Sequence, residues 1–321
     1  MQILVGDVGG TNTRLALFDG DGNLQARATA RNDDHPALWP IVQGFLGTHS
    51  ARPDAACLGV AAPVRGERVT FTNRDWTLDA PELSARLGAP LTLINDLHAQ
   101  ALACTRLSRT DFAPLDDLAP NPKAPMAILG AGTGLGEAVV VPGPLGPIAL
   151  AGEGGHARFA PRDAREMGLA QALAAKYGPH VSVERVVSGQ GLVDTYDHLR
   201  GAADRWPEMQ APGADVAALI SKRALADTCP HSVAALDIFC GVFADEAANL
   251  ALKINAGVVY LVGGITPRIL PFLRPRFRAA FTAKGRFERW LKQVPVRVVT
   301  HPDPGLLGAR IAAEALVGRG P

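Results

Sequence analysis

The sequence predicts an α/β protein of two domains, and three observations carry that reading. Short apolar runs of strand length alternate with helical patterns from the first residues onward. A pattern of strand, glycine-rich turn and strand occurs at ILVGDVGGTNTRLALF, residues 3–18, and again at AILGAGTGLGEAVVV, residues 127–141, which suggests two related halves. The length of 321 residues, with 47% hydrophobic content, is enough for two separate cores.

The elements follow in order. Strands are predicted at Gln2–Val8, Thr13–Phe18, Ala56–Ala61, Val69–Thr72 and Leu91–Ile94, with helices at Leu38–Leu46 and Pro81–Leu87 between them. The stretch DFAPLDDLAPNPK, Asp111 to Lys123, has three prolines and little periodicity, which suits a connection between domains. After it come strands at Met126–Leu129 and Glu137–Val141, helices at Ala164–Lys176, Gly191–Leu199 and Val233–Ile254, and a strand at Val258–Val262. A strand at Val296–Thr300 and a helix at Gly305–Leu316 close the chain. The domains expected are a smaller one, residues 1–110 plus 301–321, and a larger one, residues 111–300.

Composition excludes several function classes. A formal charge of +1, without a dense Lys/Arg run, gives nucleic acid or an anionic membrane no electrostatic hold. The apolar stretch from Ala127 to Gly152 has Glu137 near its middle and many glycines and prolines, so it reads as buried strands and loops and not as a membrane span. MQILVGD shows no basic segment leading into a signal sequence, so the expected location is the cytoplasm. Cys57, Cys104, Cys229 and Cys240 are far apart and read as buried thiols.

The chemistry begins in the turns. Gly6, Gly9 and Gly10 permit positive φ and close backbone approach, and Thr11 and Asn12 add hydrogen-bonding side chains. The second turn, GAGTGLG from Gly130 to Gly136, surrounds Thr133 with four glycines. Each turn alone is explained by a plain hairpin; together they suggest two anion nests able to hold a polyphosphate. Neither GxxxxGK[ST] nor GxGxxG fits, and both turns lead into a strand, so a phosphate is expected to meet hairpin amides instead of a helix dipole. A carboxylate inside such a nest would repel phosphate unless a divalent cation lay between them, which makes Asp7 a candidate Mg²⁺ partner.

A second set of residues suits sugar hydroxyls. In LTLINDLHAQALA, Asn95 and Asp96 stand at the carboxyl end of a strand, the usual ligand side of an open α/β sheet, although an aspartate there also serves as a plain helix cap. Glu153 and His156 lie on the glycine-rich loop AGEGGHARFAP, and Glu184 follows in VSVERVVSGQG. Each of these groups can give or take hydrogen bonds in the plane of a sugar ring, though singly each is as readily a solvated or capping residue.

On these residues the chain resembles the bacterial glucokinase family, the hexokinase-like branch of the sugar kinase and actin-like ATPase superfamily. The resemblance runs through LVGDVGGTNTRLAL, AAPVRGERVTFTNRDW, LINDLHAQA, ILGAGTGLG, LAGEGGHARFAP, ERVVSGQGLV, KGRF at Lys284–Phe287 and HPDPGLLGA, nearly the whole length. It implies a ribonuclease H-like, two-domain actin-like ATPase fold, with a small and a larger α/β domain and a cleft between them, the last helix returning to the first domain. It implies transfer of the ATP γ-phosphoryl group to the 6-hydroxyl of D-glucose with Mg²⁺, at the first step of glycolysis, by a homodimer. By similarity Asp96 is the catalytic base, and Asn95, Glu153, His156, Glu184 and Asn73 bind the sugar. Asp7, Gly9, Gly10, Thr11 and Asn12 form the first phosphate element, Gly132, Thr133 and Gly134 the second, and Gly263 and Gly264 match a nucleotide-side loop. The chain lacks the cysteine-rich zinc element of repressor-like sugar kinases after the EGGH segment, and it begins directly with a strand, which argues against a regulator. A kinase of an amino sugar, a non-catalytic sugar sensor, and ADP or polyphosphate as donor stay open on the residues alone.

Overall fold

A computed structural model describes residues 1–71, 74–144 and 146–318 of the chain. The fold separates into two compact units, Met1–Ser108 with Val140–Ala151 and His301–Pro321, and Arg109–Val139 with Gly152–Thr300.

The strands and helices of the amino-terminal part are β1 (Gln2–Val8), β2 (Asn12–Asp19), β3 (Leu24–Arg31), α1 (Leu38–His49), β4 (Ala55–Val60), β5 (Arg68–Thr70), β6 (Thr77–Asp79), α2 (Ala80–Leu87), β7 (Leu91–Asn95) and α3 (Asp96–Cys104). The central part holds β8 (Phe112–Pro114), β9 (Met126–Ala131), β10 (Leu135–Val141), β11 (Ile148–Gly152), α4 (Ala164–Tyr177), α5 (Gly189–Arg200), the short α6 (Pro207–Gln210), α7 (Val216–Leu225), α8 (Pro230–Ile254), β12 (Val258–Val262), α9 (Leu270–Thr282), the short α10 (Glu288–Leu291) and β13 (Val296–Val299). The chain ends in α11 (Pro304–Leu316).

In the first unit the sheet order is β3-β2-β1-β4-β7. β1 runs antiparallel to β2 and parallel to β4, which is parallel to β7. Parallel strands need cover on both faces, and β1 shows why its sequence is apolar almost throughout. Leu4 joins Leu17, Leu58 and the α1 residues Ile41, Val42 and Phe45 on one face. Its neighbours Ile3 and Val5 meet Leu306, Ala309 and Ala313 of α11 on the other. The helix near the carboxyl terminus thus packs within the first unit. It also lies against α3, where Gly308 sits so close to the Ala99 carbonyl that a side-chain carbon there would overlap it. β3 went unread in the sequence because LQARATAR is mostly exposed at the sheet edge and has no apolar face to signal it.

The second sheet has the order β11-β10-β9-β12-β13-β8. Apart from β8, this repeats the first sheet's arrangement of a hairpin beside three further strands, with β9, β12 and β13 parallel. The suggestion of two related halves therefore holds at the level of strand order. Its core is helical: α8 buries most of its length, and Phe239, Phe243, Phe277 and Phe281 form a chain of ring contacts with centroids 5.8 to 6.3 Å apart. Each such pair adds about 0.5–1.5 kcal/mol beyond its buried area.

Two expectations change. The proline-bearing stretch Asp111–Lys123 is partly built into the second sheet: β8 pairs antiparallel with β13, and Asp116 pairs with the buried Arg297 at 3.0 Å and with Arg278 at 3.3 Å. A cation in the sheet needed a nearby carboxylate, and this segment supplies it. The apolar stretch after Ala127 is buried through β9 and most of β10, whereas Ile148 and Leu150 of β11 stay exposed. Among the described residues no helix is long and apolar enough to cross a membrane. The four cysteines are buried and unpaired.

Gly308→Ala should lower stability by about 1–3 kcal/mol through overpacking of α11 on α3. Thermal unfolding measures this, and an unchanged midpoint would mean the two helices can part without cost.

Candidate functional site

In the first unit the parallel register sets Asp7 opposite Gly59, and Gly59 opposite Ile94, so the carboxyl ends of β1, β4 and β7 finish together. With strands about 4.8 Å apart, Asp7 and the Asn95–Asp96 pair lie on one sheet edge, about 10 Å apart. That edge is where open α/β sheets bind ligands.

The helix cap at this edge is Asn95 and not Asp96. Asn95 Oδ1 accepts from the amides of Leu97 and His98 at 2.9 and 3.2 Å, and its Nδ2 donates to the Ala62 carbonyl at 3.3 Å. The capping explanation for Asp96 is thereby removed: Asp96 is the first residue of α3, half-buried, with Oδ1 accepting from Leu97 N at 2.8 Å. An anionic side chain in a first helical turn is favoured by the helix dipole.

Asp7 pairs with Arg14 at 3.2 Å. Burial pushes its carboxyl above the ordinary value, Arg14 works against this, and the charge of Asp303 adds to it. Gly305, in the first turn of α11, lies against the same carboxyl. In the second unit the first turn of α5 reaches the other glycine turn, with Gly189 N donating to Gly132 O at 2.9 Å. Helix starts therefore stand beside the Asp7 carboxyl and beside Gly132, where the sequence led to an expectation of hairpin amides alone. They come from distant sequence, which no local pattern signals.

The glycines also act differently from expectation. Gly6, Gly9, Gly10, Gly132 and Gly134 all have φ outside the positive region. Gly10, Gly132 and Gly264 have nothing within 4 Å of where a side-chain carbon would stand. The fold itself does not require glycine at these three positions, and what remains is room for a ligand to approach the backbone. Gly263 is the exception: it has a φ of 89° and crowds the Ala131 carbonyl, so it shapes the turn after β12.

The second unit gathers Glu153, His156 and Glu184. His156 Nε2 lies 3.8 Å from Glu153 Oε2, and its Nδ1 lies 4.0 Å from Glu184 Oε1. Glu184 Oε2 accepts from Leu135 N at 3.0 Å, next to Gly134, so one carboxylate lies beside His156 and bonds the glycine turn. Beside that turn is a cleft of about 780 Å³, lined by Gly132, Thr133, Gly264, Leu192, Ile265 and Arg268 among others. Part of its wall is α7, which begins at the capping residue Asp215 and which sequence reading missed. The cap signal of Asp215, accepting from Ala218 N at 3.0 Å, was there to be read.

Beneath the Glu153–His156 loop lies a residue whose mark in the sequence is a break in an apolar run. Glu137 is buried and its Oε2 lies directly against Gly154. Burial, and then the nearby charge of Glu246, raise its carboxyl to about 7 despite Lys253. Asn73 lies outside the described residues. Asn95, Asp96 and the first turn belong to one unit, and the remaining predicted residues to the other.

Comparison with known proteins extends over nearly the full length. The family model described as Glucokinase matches residues 4–316. A glucokinase of Citrobacter koseri is 41% identical over 320 residues, covering 98% of each chain. Among solved structures, a glucokinase from an Antarctic psychrotroph is 30% identical with a TM-score of 0.84, covering 98% of this chain and 99% of that one. A ROK family glucokinase from Streptomyces griseus, in complex with glucose and AMPPNP, shares the fold at 20% identity and a TM-score of 0.68, covering 98% and 100%.

Two outcomes are expected. Gly10→Ala and Gly132→Ala should leave the unfolding midpoint unchanged or slightly raised, because ordinary φ and open space accept a methyl, yet weaken binding of Mg-AMPPNP in calorimetry by about tenfold or more. Glu137 is more basic folded than unfolded, so stability is greatest when it is protonated and falls as pH rises from about 4.5 through about 7. Glu137→Gln should flatten this dependence in thermal unfolding between pH 5 and 8; an unchanged slope would assign it to other groups.

Proposed function

The chain belongs to the glucokinase family and is a kinase of glucose, and from that premise we propose that it transfers the γ-phosphoryl group of ATP to the 6-hydroxyl of D-glucose, directly and in line. It has the two-domain actin-like sugar kinase fold. The observation that carries the reading is Glu184: one carboxylate lies beside His156 and bonds the backbone of the glycine turn, so sugar recognition and phosphate recognition adjoin.

In the proposed step Asp96 takes the proton of the 6-hydroxyl as its oxygen attacks the γ-phosphorus, and the bond to the bridging oxygen breaks with its electron pair leaving on ADP. Asn95, Glu153, His156, Glu184 and Asn73 hold the sugar hydroxyls, the role that the family resemblance implies for them. Asn95 has its oxygen committed to the helix cap and one amide hydrogen to the Ala62 carbonyl, so it offers the other amide hydrogen. The turns Asp7, Gly9–Asn12 and Gly132–Gly134, with Gly263 and Gly264, receive the nucleotide phosphates.

ATP is favoured over polyphosphate by the cleft beside Gly132, whose Leu192 and Ile265 walls suit a nucleoside and have no use for a bare phosphate chain. The ROK glucokinase complexed with AMPPNP supports the same donor. Mg²⁺ fits the donor set: one carboxylate, Asp7, with Asp303 near enough to raise its basicity, is what this ion takes when phosphates and water fill its other positions. Bound there, the ion would neutralise phosphate charge. On the resemblance we also propose a homodimer, working in the cytoplasm at the entry of glucose into glycolysis.

The test is coupled detection of sugar 6-phosphate from Mg-ATP with glucose, mannose, fructose and N-acetylglucosamine, and glucose should be strongly preferred. Asp96→Asn should lower kcat by about 10²- to 10⁴-fold while glucose affinity stays within a few-fold. Turnover that survives this change would remove Asp96 from the role of base.

A further inference from the structure

We propose that Asn32 and Arg74 are positioning residues for phosphoryl transfer, which hold carbonyl oxygens of the turn Gly9–Asn12 so that the amides of Gly10 and Thr11 are left to the phosphate. This rests on the function proposed above and adds two residues to it.

The turn has a difficulty of its own. A peptide between two glycines can turn over at little cost, since glycine accepts both signs of φ. Turned over, it presents a carbonyl oxygen where an amide should be, and a carbonyl repels phosphate. Something outside the turn must choose the orientation.

Asn32 does so from beneath. It is fully buried, its Nδ2 donates to Gly9 O at 2.8 Å, and its own amide donates to Thr11 O at 2.8 Å. Its Oδ1 accepts from Thr13 Oγ1 at 2.7 Å, which fixes which end of the side chain faces the turn. Arg74 takes the carbonyl between: Nε and Nη2 donate to Gly10 O at 3.3 and 3.0 Å, and Nη1 donates to Asn32 O at 3.1 Å. Asn12 O accepts from Gly9 N at 3.0 Å. Every carbonyl from Gly9 to Asn12 is therefore engaged, whereas among the described residues the amides of Gly10 and Thr11 donate to no protein acceptor.

Arg74 is itself held. Nη2 bonds Asp33 Oδ1 at 2.6 Å, and the guanidinium lies 4.6 Å from the ring centre of the buried Trp76. The planar fork matters here: one guanidinium spans the Gly10 and Asn32 carbonyls and the Asp33 carboxylate at once, which the point charge of a lysine cannot do.

The experiment compares the wild type with Arg74→Ala, Arg74→Lys and Asp33→Asn in three readouts: affinity for Mg-AMPPNP and for adenosine by calorimetry, kcat/KM for Mg-ATP at saturating glucose, and glucose affinity without nucleotide. Arg74→Ala should weaken Mg-AMPPNP and lower kcat/KM by about 10- to 100-fold, with adenosine and glucose affinities within threefold. Arg74→Lys should be impaired nearly as much, because charge alone does not orient the turn. Asp33→Asn should fall between, and it tests the clamp should Arg74→Ala fail to fold. Mg-AMPPNP affinity and kcat/KM within twofold of wild type in the folded variants, or full rescue by lysine, would overturn the proposal. A wild type that neither binds Mg-AMPPNP nor phosphorylates glucose would instead overturn the proposed function.

Discussion

The parallel pairing at the centre of each sheet is the constraint from which the other features follow. Parallel strands need crossover connections and cover on both faces. In the first unit this places Leu4 under α1 while Ile3 and Val5 lie under α11. The same pairing brings the carboxyl ends of β1, β4 and β7 to one edge, and those of β9 and β12 to another. Asp7 lies at the end of β1, Asp96 directly after β7, and Gly132 and Gly264 in the turns after β9 and β12. The site residues gather there because the register of buried strands leaves them nowhere else to emerge.

At those edges the glycines matter for what they omit. Gly10, Gly132 and Gly264 have ordinary backbone angles and empty space beside them, while Gly308 and Gly263 are fixed by contact with neighbouring backbone. The first kind leaves access to the peptide groups; the second lets elements pack. A backbone left open to an anion must have its carbonyls held back, and Asn32, with no exposed surface, is placed to do this for two of them.

The charged groups near the turns share one cause of perturbation. Asp7 and Glu137 are both pushed up by burial, and a second carboxylate adds to it in each case. They differ in setting. Asp7 has Arg14 beside it on a strand end, where a cation could further compensate it, whereas Glu137 is packed under Gly154 with Lys253 as the nearby opposing charge. The first arrangement is the one at which we propose that Mg²⁺ binds. The second makes the support of the Glu153–His156 loop sensitive to protonation.

The class of fold, the strands β1 and β12 to the residue, the repeated hairpin and the family were all legible in the sequence, because apolar periodicity and glycine placement are local properties written along the chain. Not legible were β3, whose exposed edge position leaves no apolar pattern, and α7 and α9, whose apolar faces were not separated from their surroundings. Packing in three dimensions made Asn95 and not Asp96 the cap of α3, brought the first turn of α11 to Asp7 and that of α5 to Gly132, and set Glu184 beside both His156 and Leu135. These are contacts between groups far apart in the chain. Their partners are chosen by packing and by the need to satisfy buried polar groups, neither of which leaves a mark on the residues nearby.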